Sequence, residues 1–178
     1  MATQATSRLG RFRANRDSYF REHQNSPLIP EQKASFSALD YYPEDPALRF
    51  EVTLEEATLD LAPIEVGTGT DEAKTYIPAG WVEIPIAGET VRFVVFREQG
   101  RGRYFLPFRD GTAGHETYGA GRYVDPQETP RGTLIIDFNY AYNPYCAYGD
   151  HFVCVIPPFQ NRTTVEIRAG ERAFDRSA

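Results

Sequence analysis

The run Trp81-Val82-Glu83-Ile84-Pro85-Ile86-Ala87-Gly88-Glu89-Thr90-Val91-Arg92-Phe93-Val94-Val95-Phe96 decides the fold class. Residues 81–84 alternate apolar and polar, the period at which side chains point to opposite faces of a strand. Gly88-Glu89 separates two β-patterned stretches, and a short glycine-containing break of this kind predicts a hairpin. Outward from it, Arg49–Leu54 alternates in the same way. Thr58–Leu61, Lys74–Ile77, Arg103–Phe108 and Thr163–Arg168 read as further strands, with residues 67–70 as a loop. Thr133-Leu134-Ile135-Ile136-Asp137-Phe138 is almost wholly apolar and predicts a central, buried strand. Eight or nine short strands with one leading helix predict a mainly β fold, an antiparallel barrel or sandwich.

The leading helix is residues 7–24. Leu9, Phe12, Arg16, Tyr19, Phe20 and His23 fall on one helical stripe, Thr6 or Ser7 can cap it, and Asn25-Ser26-Pro27 ends it. His23 on that stripe is expected to be partly buried and hydrogen-bonded. Residues 25–47, with Pro27, Pro30, Pro43 and Pro46, read as irregular chain with a short helical turn near 31–36. The aromatics Tyr41 and Tyr42 should hold this stretch against the domain. A single domain over 7–172 is expected, with 1–6 and 173–178 as mobile termini.

The chain has 178 residues, 41% of them hydrophobic, enough for one real core. No stretch approaches the roughly 20 apolar residues of a membrane helix. The first ten residues lack the apolar core of a signal peptide. The two cysteines, Cys146 and Cys154, are too few for a secreted disulfide scaffold, so a cytoplasmic protein is expected. A net charge of −6 argues against a nucleic-acid partner. Residues 1–24 carry five Arg against Asp17 and Glu22, a net of +3, while residues 31–99 carry 14 acids against five bases, a net of −9. The basic helix therefore docks on the acidic middle, forms a solvated face, or serves a non-catalytic interaction domain by binding an acidic partner.

Aromatic residues are numerous, and seven of the 11 Tyr lie in 104–148. Residues 108–123 read Phe-Arg-Asp-Gly-Thr-Ala-Gly-His-Glu-Thr-Tyr-Gly-Ala-Gly-Arg-Tyr, four glycines among polar groups. Such a loop lets backbone N–H groups approach a ligand, or forms a tight turn system with side-chain caps. It lacks the Gly-Lys-Ser/Thr of a phosphate loop and the spacing of a dinucleotide fingerprint. The apolar strand then runs into Asp137-Phe-Asn-Tyr-Ala-Tyr-Asn-Pro-Tyr-Cys-Ala-Tyr148, a polar segment held by a rigid element.

These two runs, with Tyr41-Tyr42-Pro43, Cys154, Pro157-Pro158, Asn161-Arg162 and Ala169-Gly170-Glu171, resemble the prokaryotic family called domain of unknown function 1684. The resemblance spans about residues 8–172. The chain has Cys154-Val155-Ile156-Pro157-Pro158 where the family often has Cys-Pro before the paired prolines. The resemblance implies one domain and supplies no reaction.

Segment 109–154 is the expected site, and three chemistries fit it. The first is a pocket for a small anionic or polar molecule. Arg122 would clamp an anion, Asp110, Thr112, Thr117, Asp137, Asn139 and Asn143 would orient it, and Tyr118, Tyr142 and Tyr148 would wall it. Arg122 bridged to Asp110 or Asp137 is the structural alternative. The second is hydrolase-like catalysis by Cys146, with His115 or His151 as base and Asp110, Asp137 or Asp150 as orienter. The third is a metal site from Cys146, His151 and Cys154 with His115, although the eight-residue separation departs from common zinc spacing. The two cysteines could instead bridge. The sequence leaves the cofactor and the oligomeric state open.

Overall fold

A computed structural model describes residues 7–67 and 73–177; the terminal residues 1–6 and 178 and most of the loop expected at 67–70 lie outside the described residues. Helix α1 (Arg8–Glu22) begins at Ser7, whose hydroxyl accepts from the Gly10 N–H at 2.9 Å, as an N-cap should. Its stripe buries Leu9 and Phe20, and Phe12 meets Tyr140 at 4.9 Å. His23 is exposed rather than partly buried; it stacks on Tyr19 at 4.4 Å and its Nδ1 accepts from the Asn25 N–H. A short helix α2 (Pro30–Ser35) follows. The stretch after it is tied down where Tyr42 N–H donates to Gly170 O at 2.9 Å.

Nine strands follow among the described residues: β1 (Arg49–Val52), β2 (Glu55–Glu56), β3 (Ile64–Gly67), β4 (Ala73–Ile86), β5 (Glu89–Glu98), β6 (Tyr104–Phe108), β7 (Arg122–Val124), β8 (Gln127–Glu128) and β9 (Leu134–Asp137). The pairings are antiparallel and form two sheets that do not close into a barrel. β9 lies between β1 and β8 in the smaller sheet; the larger runs β2-β4-β5-β6-β7, with β3 also on β4. The hairpin turn is Ala87-Gly88, not Gly88-Glu89. Both turn residues have positive φ, 52° and 81°, as the tightest hairpins require.

Three strand expectations change. Residues 74–77 and 81–86 belong to one strand, β4, which a register shift between Pro78 and Gly80 bends without breaking. Residues 58–61 are irregular, and the neighbouring strand is 64–67. Residues 163–168 form no strand: their backbone meets the loop only at isolated points, Thr163 N–H donating to Arg109 O and Val165 O accepting from Gly111 N–H, both at 2.9 Å, and at Ile167 the side chains of Asp110 and Arg122 take over.

The larger sheet is covered on both faces, which explains why Phe93, Val94, Val95 and Phe96 are all buried despite the strand alternation. Phe93 and Val95 join Leu106, Phe108, Leu134, Ile136 and Phe138 in the core between the sheets, a sandwich-like arrangement. Val94 and Phe96 face the other way, with Tyr76, Phe105 and Tyr123. A third cluster seats α1 through Phe20, Leu28, Leu39, Ala147 and Tyr148. Two residues of the expected 173–178 tail reach this cluster: Phe174 meets Tyr148 at 5.1 Å, and Arg176 Nε donates to Ala147 O at 3.0 Å. Among the described residues no helix is long and apolar enough to cross a membrane.

Candidate functional site

The glycine-rich loop is closed on itself. Arg122 is fully buried, and its Nη2 donates to Ile167 O at 2.8 Å and to Asp110 Oδ1 at 3.3 Å. Its Nη1 donates to the carbonyls of Ala169 and Glu171, and its plane lies 5.2 Å from the Phe108 ring. Burial pushes the guanidinium pKa down, with Asp110 acting the other way. Asp110 also accepts from the Ile167 N–H at 2.7 Å and the Thr112 hydroxyl at 2.8 Å, and Thr112 meets the Thr117 hydroxyl at 2.9 Å. Asp110, Thr112, Thr117 and Arg122 do come together, but around the backbone of 167–171. The glycines serve that packing: a Cβ on Gly111 would sit 2.3 Å from Thr164 O. One on Gly121, where φ is +106°, would sit 2.5 Å from Phe108 O.

The second polar segment divides in two. Asp137 and Asn139 form a corner: the Asn139 amide accepts from Asp45 N–H and donates to Asp45 O, both at 2.8 Å, and Asp137 Oδ1 accepts from Asn139 N–H at 3.0 Å. Asn143 instead joins a charge centre built on Glu171, which is 1% exposed. Glu171 accepts from Arg16 Nη2 at 2.8 Å, Asn143 N–H at 3.1 Å, Asn143 Nδ2 at 3.2 Å and the Tyr148 hydroxyl. Burial works against the Arg16 cation, but Glu171 and Tyr148 more than offset it, so its pKa lies above the ordinary value. The unusual Arg on the apolar stripe of α1 is thus explained by a buried carboxylate 155 residues away.

A cavity of about 740 Å³ opens on the second face of the larger sheet. That size suits a small ligand. Tyr76, Tyr104, Tyr123, Tyr142 and Tyr145 line it, with Phe105 and Phe152, although the Tyr104 ring itself packs in the core between the sheets. β4, β6 and β7 supply the first three tyrosines, and segment 142–155 forms the opposite side. Tyr123 and Tyr142 are joined by paired backbone hydrogen bonds of 2.9 and 3.0 Å, and the Tyr123 hydroxyl donates to Val155 O at 2.6 Å, which fixes both sides relative to each other. Of the residues expected at the site, Tyr142, Asn143 and Cys154 line the cavity; Asp110, Thr112, His115, Thr117, Tyr118, Arg122, Asp137, Asn139, Cys146 and Tyr148 do not.

The cavity has its own charges. Asp125 remains open to solvent but is ringed by protein, and this desolvation raises its carboxyl pKa; the Tyr142 hydroxyl, donating at 3.0 Å, and the cations Arg16, Lys74 and Arg103 act in the opposite direction. Arg16 stands 5.4 Å from the Tyr142 ring centre. Burial, then Asp125, holds the Tyr142 hydroxyl well above its ordinary pKa. Lys74 and Arg103 line the cavity and form no ion pair with another described residue. Asn143 Oδ1 is buried without a hydrogen-bond partner among them. A carboxylate with a raised pKa in a cleft is a recognised mark of a functional site. Asp125 was accessible to sequence reading as a carboxylate at the end of Arg122-Tyr123-Val124; Lys74 and Arg103 carried no such signal.

The catalytic and metal groupings are not assembled among the described residues. His115 Nε2 hydrogen-bonds Gly111 O at 2.8 Å, and His151 lies on the Phe152 ring at 4.1 Å; neither hydrogen-bonds Cys146. No group of three His, Cys, Asp or Glu side chains is placed to hold a metal ion. Cys146 and Cys154 are both free and adjacent: the Cys146 N–H donates to Cys154 Sγ at 3.1 Å.

No curated protein matches the chain. Among solved structures it is similar to an uncharacterised protein of Haloarcula marismortui determined by solution NMR. That protein is 33% identical, with a TM-score of 0.72, over 92% of this chain and 91% of the other. The model of the family described as "Protein of unknown function (DUF1684)" matches residues 34–172, which contain every strand, the closed loop and all of the cavity wall except Arg16. The chain therefore belongs to the DUF1684 family.

Proposed function

We propose that the chain is a small-molecule-binding domain, and that its ligand is a polar molecule bearing an anionic group, held in the tyrosine-walled cavity. The observation that carries this reading is the lining itself: tyrosines border an open cavity of about 740 Å³, with Lys74 and Arg103 available to an anion. Tyrosines offer flat apolar faces with hydrogen-bonding tips, the lining expected where a ligand is both aromatic-contacting and polar. Asp125, which the Tyr142 hydroxyl reaches at 3.0 Å, supplies a directional acceptor. The anion contact thus moves from Arg122 to Lys74 and Arg103, while the ligand class stays as the sequence suggests. We place this activity in the cytoplasm, a compartment whose ordinary poise is consistent with two free thiols.

Differential scanning fluorimetry against a panel of small carboxylates and phosphate monoesters tests the reading. At least one compound should raise the melting temperature of the wild-type chain, since a ligand that binds only the folded state stabilises it. The same compound should have no effect on the Lys74→Glu/Arg103→Glu double variant. A panel without a single hit, or a hit that survives in the double variant, overturns the assignment.

A further inference from the structure

We propose that Cys146 and Cys154 are a redox-active dithiol: a peroxide converts them to an intramolecular disulfide, and that bond pins one wall of the cavity. The proposal rests on placement and is independent of what the cavity binds. The Cys146 N–H donates to Cys154 Sγ at 3.1 Å, so the Cys154 sulfur already lies against residue 146 and the two thiols are neighbours without refolding of the seven residues between them. Both side chains are partly open to solvent. Cys154 lines the cavity, and Val153 beside it is 99% exposed, which gives a small oxidant access from the mouth. Arg176 is anchored next to Cys146: its Nη2 donates to Cys146 O and its Nε to Ala147 O.

The two sulfurs have different parts. Cys146 attacks first, and Cys154, whose thiol burial pushes up to about 12, resolves. The Cys146 thiolate takes one oxygen from hydrogen peroxide, the O–O bond breaks, and water leaves after protonation. Cys154 sulfur then displaces the hydroxyl of the Cys146 sulfenic acid. The S–S bond forms, the S–O bond breaks, and the departing hydroxyl takes the Cys154 proton as a second water. The thiols lose two electrons in total and the peroxide gains them. The bond ties segment 152–155, already held by Tyr123 to Val155 O, to the turn Tyr145–Ala147.

The full reduced chain is treated with hydrogen peroxide and followed by intact mass, peptide mapping and non-reducing electrophoresis. The wild type should lose the mass of two hydrogens, yield a Cys146–Cys154 linked peptide, remain monomeric in its covalent state, and revert with dithiothreitol. Cys154→Ser should trap a dimedone-reactive sulfenic acid at Cys146, and Cys146→Ser should react far more slowly. Hydrogen exchange at 152–155 should slow in the oxidised wild type. Two thiols still titrating after quenching, cross-linked dimers in place of the internal bond, or equal reactivity of Cys146→Ser would overturn the dithiol. Unchanged exchange at 152–155 would overturn the pinned wall. The wild-type measurements stand even if a serine variant does not fold.

Discussion

The loop 109–122 and the cavity wall 123–155 look alike in sequence, both polar and both rich in Tyr or Gly, yet they spend their polar groups differently. In the loop, Asp110 and Arg122 face backbone carbonyls and N–H groups of 167–171 and are sealed from water. In the wall, Asp125 faces an open cavity, which Lys74 on β4 and Arg103 just before β6 also line. The difference teaches that a buried Arg is informative only once its acceptors are counted. Arg122 has four, three of them main-chain carbonyls, so it ties the segment 167–171 to the loop. Stability should therefore depend on the loop, and binding on the wall.

The sharpest way to break this contrast is Arg122→Met. It strands three carbonyls and leaves Asp110 buried without its cation, a loss on the order of 3–5 kcal/mol. Urea denaturation should show a correspondingly lower midpoint, and Arg122→Lys should rescue little, because a single ammonium cannot span the carbonyls of 167, 169 and 171. A loss below about 1 kcal/mol, the size of an ordinary hydrogen bond, would mean that the loop does not depend on this clamp. Glu171→Gln is the next test. It removes the carboxylate that four donors share and leaves Arg16 without its ion-pair partner, at a cost of about 2–3 kcal/mol. Denaturation reads it in the same way, and a neutral result would place the anchoring of α1 in its apolar stripe alone.

The parts of this molecule legible in sequence are those where one physical rule acts locally. Residues 81–96 have strand periodicity and a turn glycine, and α1 has its stripe and cap. Even there the two-sided burial of Phe93–Phe96 was needed to explain the missing alternation. Thr163-Thr-Val-Glu-Ile-Arg168 has the composition of a strand, but its partners are isolated: the backbone of Arg109 and Gly111, and at Ile167 the side chains of Asp110 and Arg122, which no local pattern announces. The site was half legible. The tyrosine concentration does point to the wall through Tyr104, Tyr123, Tyr142 and Tyr145. The charges did not follow, because Lys74, Arg103 and Asp125 converge only through the pairing of β3, β4 and β6–β8.

On the wall, Asp125→Asn should leave stability within about 0.5 kcal/mol of wild type or raise it, the range for a substitution outside the core. The sign follows from its raised pKa. The folded state holds this proton more tightly than the unfolded chain does, so ionised Asp125 opposes folding above its folded pKa, and the opposition fades as pH falls through that value. The asparagine carries no charge and should flatten that part of the pH–stability curve. Denaturation at pH 7 and at acid pH checks it; a clear loss of stability at pH 7 would make Asp125 a structural acceptor like Asp110 and remove the contrast between the two regions.

The smallest effect belongs to the outer face of the loop. Glu116 accepts from Arg168 at 2.8 Å and from the Tyr42 hydroxyl at 2.6 Å, and these donors hold its carboxyl down at about 2. A depressed carboxyl pKa contributes stability that is present above the unfolded value near 4.3 and is lost as pH falls toward the folded one. The pair is exposed, so salt screens it and its share of stability is slight. Its titration is nonetheless a clean probe. NMR should find the Glu116 midpoint near 2 in low salt, rising with ionic strength, and rising further toward the ordinary range in Arg168→Gln. Tyr42→Phe should move it less, since Arg168 is the larger cause. If Arg168→Gln leaves the midpoint in place, the loop's outer charges are not held by the 163–171 segment. The seal between loop and segment would then rest on Arg122 and Asp110 alone.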